Sequence, residues 1–427
     1  MKKFIKRRIS KNLFISFIIQ GFYTILSPLS MILLARVLGP DEFGVFAFTI
    51  SIVTILSIIS ELGLPTVITR FGTIYFMKNK MELYKGLLKF SNSRILFGSF
   101  LLVSIVLILY FFDLINEEYG LTLVVGLPLI FLFALSRVRS SILTSINKVN
   151  LAQLPEMIVR PILLIFFVLL IYYYGKISAF NSVLIYVFIN AVVYLFGQSL
   201  VDRNTRKFKL KRIISAFEKN KWTQVAFPLF LLGGIQILGA QSDVFLLGLL
   251  SDSNDIGVFK SMYQISLLVI FSLSAINAIC TPLIVENFEK NRYKELKKLL
   301  VNFCGINFIL AILIGFPFFF FGEFFIELIY GEEYIIGYKC LQILIIGRII
   351  NTTFGVSNQF LKMIGEEKQA TKGILLGVIL AILLNVILIP TYGIIGAAIA
   401  SSIALITWNV YLFLLLRKKL NHYNKIV

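Results

Sequence analysis

"LLARVLGPDEFGVF" (residues 33–46) and "LLGLLSDSNDIGVF" (residues 246–259) share a pattern: Leu-Leu at the start, an acidic turn in the middle, Gly-Val-Phe at the end. The stretches lie 213 residues apart in a chain of 427, which is half its length. "FMKNKMELYKGLL" (76–88) aligns without gaps with "FEKNRYKELKKLL" (288–300) at a shift of 212. "VLLIYYYGKISA" (168–179) aligns with "VILIPTYGIIGA" (386–397) at a shift of 218. Apolar segments resemble one another in any case, but here the matches include Gly-Val-Phe and Lys-Asn at or beyond the ends of the apolar runs. Three ordered matches at nearly constant offset predict an internal duplication, with halves 1–213 and 214–427.

What is duplicated follows from composition. Hydrophobic residues make up 58% of the chain and charged residues 15%, against roughly half and a quarter in a typical globular protein. Apolar runs of about 20 residues recur throughout, each long enough to cross a hydrocarbon core roughly 30 Å thick. They are continuous rather than alternating, which predicts helices and not barrel strands. Twelve spans are expected, near 12–34, 43–63, 90–112, 121–145, 155–174, 180–201, 224–249, 257–281, 300–321, 335–358, 373–390 and 394–416. The apolar run after "MKKFIKRRISKN" is too long for a signal peptide and reads as a retained first span.

The distribution of Lys and Arg predicts orientation. The N-terminal tail holds six, the segment Arg70 to Arg94 six, "VDRNTRKFKLKRIISAFEKNK" eight, and the C-terminal tail four. The intervening loops "FDLINEE" (112–118), "SDSND" (251–255) and "GEFFIELIYGEE" (322–333) are acidic. Only Arg36, Lys176, Lys260 and Lys339 fall on their side. Both termini are therefore expected in the cytoplasm. Six crossings return the chain to its starting side, so the second half enters the bilayer in the same sense as the first. That parity predicts two six-helix bundles related by a pseudo-two-fold axis along the membrane normal, the parallel repeat of transporters. Such bundles would flank a central cavity and open it alternately by rocking.

Several functions are disfavoured. The net charge of +19 sits in short juxtamembrane loops, where positive-inside anchoring and contact with membrane lipids explain it better than nucleic acid. Cys280, Cys304 and Cys340 are widely spaced in apolar surroundings, and the single histidine, His422, lies in the tail. No disulfide framework, metal site or cofactor is expected. No GxxxxGK[ST] phosphate loop and no triad pattern occurs, so an ion or substrate gradient must supply the driving force and no enzyme activity is expected.

The candidate site residues are the charges at membrane depth, where each costs about 2.5–3.5 kcal/mol without a partner or water. Arg348, in "LIIGRIINTTFG", is the deepest cation: it either faces the cavity or reaches back to backbone carbonyls or a neighbouring acid. Arg137 and Arg139 lie near the inner end of span 4. They point about 200° apart on a helix, so at most one faces the cavity, and either could snorkel to the interface. Arg70 closes "ELGLPTVITRF" just past span 2. Arg160 is expected to pair with Glu156 one turn earlier. Two readings of Asp243 stand: an ion-coupling carboxylate, or a partner of Lys260. Glu61 is the other candidate for ion coupling. The excess of cations favours an anionic substrate group such as a diphosphate, which the planar guanidinium suits.

"ARVLGPDEFGVFAF" (35–48), "ELGLPTVITRF" (61–71), "DVFLLGLLSDSNDIGVF" (243–259), "YGEEY" (330–334) and "LNVILIPTYGIIGAAIASS" (384–402) together resemble the bacterial polysaccharide biosynthesis proteins. Those belong to the multidrug/oligosaccharidyl-lipid/polysaccharide (MOP) flippase superfamily. The resemblance covers about residues 10–416. It implies translocation of undecaprenyl-diphosphate-linked oligosaccharide units across the bacterial cytoplasmic membrane, for O-antigen, capsule or related polymers. It also implies basic residues near the diphosphate, and polymerases and glycosyltransferases as pathway partners. The family has no strict catalytic signature, and of the site residues only Arg70 carries over by motif. Two other readings remain: an ion-coupled drug or cation antiporter of the same superfamily, which would use Asp243 and Glu61, and a membrane glycan polymerase or ligase.

Overall fold

A computed structural model describes the backbone of residues 2–174 and 178–426, and among these every regular element is helical. Lys176, expected on the acidic side, and part of the match at 168–179 lie outside the described residues. A chain this apolar has little choice. In lipid no water satisfies the backbone N–H and C=O groups, and a helix pairs them within one segment. Among the described residues nine helices are long and apolar enough to cross a bilayer, and the pair Glu117–Gly126 and Pro128–Ser145, bent by 42°, makes a tenth. Two of the ten, Ile18–Glu61 and Glu367–Tyr423, run 44 and 57 residues, about twice what one crossing needs. Each breaks at a single glycine with non-helical backbone, Gly39 at φ 75° and Gly393 at φ 53°. Counting each as two crossings gives the twelve expected. Where the sequence suggested loops at "GPDEF" and "PTYG", helix continues on both sides of one residue that only glycine adopts without strain. The acidic stretch at 322–333 also differs from the expected loop: Gly322–Ile329 is a short helix and Glu332–Gly337 a 3₁₀ segment.

The chain packs as two compact units, Met1–Leu38 with Val45–Gly234, and Gly39–Gly44 with Ile235–Val427. The second unit thus takes in the turn of the first repeated motif. The helix Lys219–Leu250 contributes its first half to one unit and its second half to the other.

The duplication is visible in the backbone. Asn79 and Asn291, equivalent at the shift of 212, both adopt φ 54°. Asn79 N donates to Phe76 O at 3.2 Å and Lys80 N to Tyr75 O at 2.9 Å. Asn291 N donates to Phe288 O at 3.0 Å and Arg292 N to Asn287 O at 2.9 Å. This is the same left-handed helix stop, followed by helices that begin at equivalent positions, Met81 and Tyr293. Asn147 (φ 60°) and Gly365 (φ 83°) form another such pair, 218 residues apart, which the residue types alone do not disclose.

The opening motifs meet each other inside the second unit. A Cβ added at Gly44 would lie 1.7 Å from the carbonyl oxygen of Ser253, and one added at Gly257 would lie 1.9 Å from that of Pro40. Gly44 is equivalent to Gly257 and Pro40 to Ser253, so the contact is reciprocal, as in a two-fold interface. Asn254 Nδ2 donates to Asp41 Oδ1 at 3.1 Å, and these two residues are also equivalent. The Val-Phe that follows each glycine is buried at both sites, Val45 and Phe46 in the first unit, Val258 and Phe259 in the second.

Candidate functional site

Arg348 projects from the helix Tyr338–Met363 into a cavity of about 250 Å³ within the second unit, lined also by Gln236, Asp243, Tyr263, Ser401 and Trp408. Arg348 is 5% exposed, its guanidinium sits 4.7 Å from the centre of the Tyr263 ring, and Nε donates to Ser266 Oγ at 3.4 Å. Both of its expected surroundings are present together: Arg348 lines a cavity within one unit, and an acid, Asp243, lines the same cavity within its electrostatic reach. Lys260 approaches the same ring, with Nζ 5.7 Å from the centroid. Tyr263 is thereby shared by two cations, both drawn to the negative potential of the aromatic ring.

Asp243 supplies the counter-charge. It is 6% exposed, accepts a hydrogen bond from Asn385 Nδ2 at 2.7 Å, and lies within electrostatic reach of Arg348 and Lys260. Arg348 and Lys260 thus flank one ring beside a single carboxylate, in a medium where charge is poorly screened. Asn385 Oδ1 has no donor, so the site holds a carboxylate beside an unused amide oxygen. Among the described residues no group of three His, Cys, Asp or Glu side chains could hold a metal, and all three cysteines are buried and free.

The first unit disposes of its arginines differently. Arg139 is 4% exposed and turned against the helix Ala179–Thr205. It donates to the carbonyls of Tyr194 and of Val193 (3.3 Å), to Ser136 Oγ, and stacks 4.2 Å from the Tyr194 ring. Glu156 Oε1 is 3.9 Å away and also pairs with Arg160, as expected from their spacing. Arg137, on the opposite side of its helix, donates to Glu61 Oε1 at 2.8 Å, with 37% of its side chain exposed and 8% of the partner's. The two arginines therefore diverge, as a separation of two residues on a helix requires, and the two acids are neutralised from within. Arg70 lies exposed on the wide turn Ile68–Gly72, its guanidinium 5.7 Å from the Phe71 ring. Of the six candidate residues, Arg348 and Asp243 share one cavity, and Arg137 and Glu61 form one ion pair. Arg139 and Arg70 stand apart from both.

A family model described as "Polysaccharide biosynthesis protein" matches residues 9–288, more than half of the chain. The chain belongs to that family. A second model, MatE, matches residues 228–387, which contain Asp243, Arg348 and Asn385. The chain is 23% identical over 213 residues to the probable low-salt glycan biosynthesis flippase Agl15 of Haloferax volcanii, a match covering 50% of this chain and 44% of that one. Among solved structures it is similar to an inward-facing multidrug resistance MATE family transporter of the MOP superfamily. There the TM-score is 0.76 at 17% identity, over 94% of this chain and 96% of the other. It is also similar to lipid II flippase MurJ in an inward closed conformation, with a TM-score of 0.73 at 17% identity over 95% of this chain and 87% of that one. At such identities the two structures establish the fold. This member of the family is a multi-pass membrane protein of the MOP flippase superfamily.

Sequence reasoning missed two members of the site. Asn385 carried a usable signal, because a lone amide inside the apolar run "LLNVIL" is costly unless partnered. Tyr263 carried none: one tyrosine among 18 becomes significant only when two cations converge on its ring.

Proposed function

We propose that this protein moves oligosaccharide units, joined through a diphosphate to a polyprenyl chain, across the cytoplasmic membrane by alternating access. It does so as a carrier and not as an enzyme, with both termini on the cytoplasmic side. Its cargo is a precursor of O-antigen, capsule or a related polymer, assembled by glycosyltransferases and used by a polymerase of the same pathway. The observation that carries this reading is Arg348, a buried arginine that lines a cavity from within an apolar span. A sugar–diphosphate cannot enter hydrocarbon unaided, and a guanidinium fork donates two hydrogen bonds to phosphate oxygens without losing its charge. The family membership and the name of the Haloferax volcanii relative support the same reading.

Asp243 is the coupling carboxylate in this scheme. With Asn385 Oδ1 beside it, it can take up a proton or a small alkali cation, and either event releases Arg348 from its counter-charge. The same carboxylate favours the second reading, an ion-coupled drug or cation antiporter. Against that stand the neighbouring cations at Asp243 and the Arg137 pairing of Glu61, which leave neither acid open to a cationic drug.

The decisive experiment is reconstitution in proteoliposomes with a fluorescent polyprenyl-diphosphate oligosaccharide in one leaflet. Ion-gradient-dependent transfer to the other leaflet is expected, lost in Arg348→Ala. Efflux of cationic drugs without lipid transfer would replace the proposal with the antiporter.

A further inference from the structure

Two adjoining hollows in the first unit play no part in the site described above. One, about 320 Å³, is lined by Lys89, Phe90, Ser93, Arg94, Phe217 and Lys219. The other, about 200 Å³, is walled chiefly by Leu62, Leu64, Ala226, Phe227 and Phe230. Phe90 and Arg94 border both, so the basic hollow passes into the apolar one along a shared edge. Backbones pack closely beside the apolar hollow: a Cβ added at Gly63 would lie 2.4 Å from the carbonyl oxygen of Ala226, one of its lining residues.

Two of the three cations of this groove lie against aromatic rings. Arg94 lies 5.6 Å from the centre of the Phe90 ring and Lys219 Nζ 5.5 Å from that of Phe217. All three side chains are exposed, and none is in any of the ion pairs among the described residues. Aromatic faces steady a cation without cancelling its charge. The apolar wall is open as well, with Phe227 61% and Leu62 44% exposed. A ligand that fits both parts carries a multiply charged oxyanion on a long hydrocarbon chain. A phospholipid phosphodiester brings one negative charge, a diphosphate diester two. Three free cations favour the second.

The geometry points to a loading site for the polyprenyl-diphosphate end of the substrate, with the diphosphate among Lys89, Arg94 and Lys219 and the first isoprene units in the Leu62–Phe227 slot. The inference rests on the proposed function and names a different place, the point at which the substrate is first captured. It lies among the loops whose basic residues predict the cytoplasmic side, where such a substrate would be made.

A reporter is built in. Trp222 is fully buried with its ring 5.5 Å from Phe90 and 6.5 Å from Phe217, and the only other tryptophan is Trp408. In a Trp408→Phe background the emission of Trp222 reports on the groove alone. Titration of the detergent-solubilised protein with undecaprenyl diphosphate is expected to give a saturable change. Undecaprenol and inorganic diphosphate should give none at matched concentration, and phosphatidylglycerol a change at least tenfold weaker. Lys89→Gln, Arg94→Gln and Lys219→Gln should each weaken binding about tenfold, the usual loss for one charge-assisted hydrogen bond. Equal binding of phosphatidylglycerol, or variants that bind like the parent, would overturn the assignment. In proteoliposomes without the Trp408 substitution, the triple variant is expected to raise KM for the lipid-linked oligosaccharide. A parent that transfers this lipid beside a triple variant of unchanged KM sinks the loading site and leaves the function standing. A parent that binds undecaprenyl diphosphate in the groove but transfers no lipid does the reverse.

Discussion

Arg348 and Asp243 show how much a single residue's sequence context can reveal. Charge within an apolar run is expensive enough to identify both as functional candidates before any coordinates. Which groups they meet is a different matter, because Tyr263, Ser266 and Asn385 come from other helices. Arg348→Lys keeps the charge but loses the planar fork, so it should retain part of the transfer that Arg348→Ala abolishes, measured at equal protein level in proteoliposomes. Asp243→Ala leaves buried Arg348, and half-buried Lys260 near it, without the carboxylate they face. It should cost about 3–5 kcal/mol of stability, read as a lowered thermal unfolding midpoint in detergent. Asp243→Asn preserves the shape and should instead uncouple transfer from the ion gradient, seen as downhill exchange that no longer responds to it.

At the scale of elements, Gly44 and Gly257 are telling. The sequence displays them as a repeated Gly-Val-Phe, and the structure gives the reason: two backbones approach so closely that neither position has room for a Cβ. Gly44→Ala and Gly257→Ala should each destabilise the protein by about 1–3 kcal/mol, since the obstacle is backbone and cannot rotate away. A midpoint unchanged in thermal unfolding would show that the helices part more easily than this packing allows. A second junction joins distant elements of the first unit. Trp222 Nε1 donates to Tyr75 Oη at 3.0 Å, and Tyr75 Oη donates to Glu218 Oε2 at 2.7 Å. Burial pushes the Tyr75 phenol up to about 12, so it remains a donor at any physiological pH. Tyr75→Phe strands the buried indole N–H and should cost about 1–3 kcal/mol.

Glu218 gives this junction a pH dependence of known sign. The Tyr75 hydroxyl, and then Lys221, hold its carboxyl below the usual carboxylate range. A depressed folded pKa contributes stability above the unfolded value, about 4.3, and loses it as pH falls through the folded one. Trp222 emission in the Trp408→Phe background should therefore shift below about pH 4, and Glu218→Gln should flatten that shift. A titration unaltered by Glu218→Gln would detach Glu218 from the junction.

At the scale of the whole molecule, orientation is the property most open to test. If the basic loops face the cytoplasm, a cysteine replacing exposed Lys290 will react with an impermeant maleimide only from inside, and one replacing Glu117 only from outside. The three native cysteines are buried and give little background. Labelling of the Lys290 position from outside would invert the topology.

Class, number of crossings and duplication were all legible in the sequence, because hydrocarbon imposes its demand on every segment locally: an apolar run of sufficient length must be a helix that spans. The helix ends were partly legible, through Asn79 and Asn291 at one repeated stop, whereas Asn147 and Gly365 occupy another without looking alike. The tertiary structure alone decided that helix runs up to Gly39 and Gly393 on both sides, that Arg139 is spent on carbonyls of its own unit, and that Arg137 is tied to Glu61. It alone brought Asp243, Tyr263 and Arg348 to one cavity and Asn385 to the Asp243 carboxylate. Partition into lipid is a property of each segment by itself, while the pairing of buried charges depends on which helices become neighbours, and spacing along the chain does not encode that.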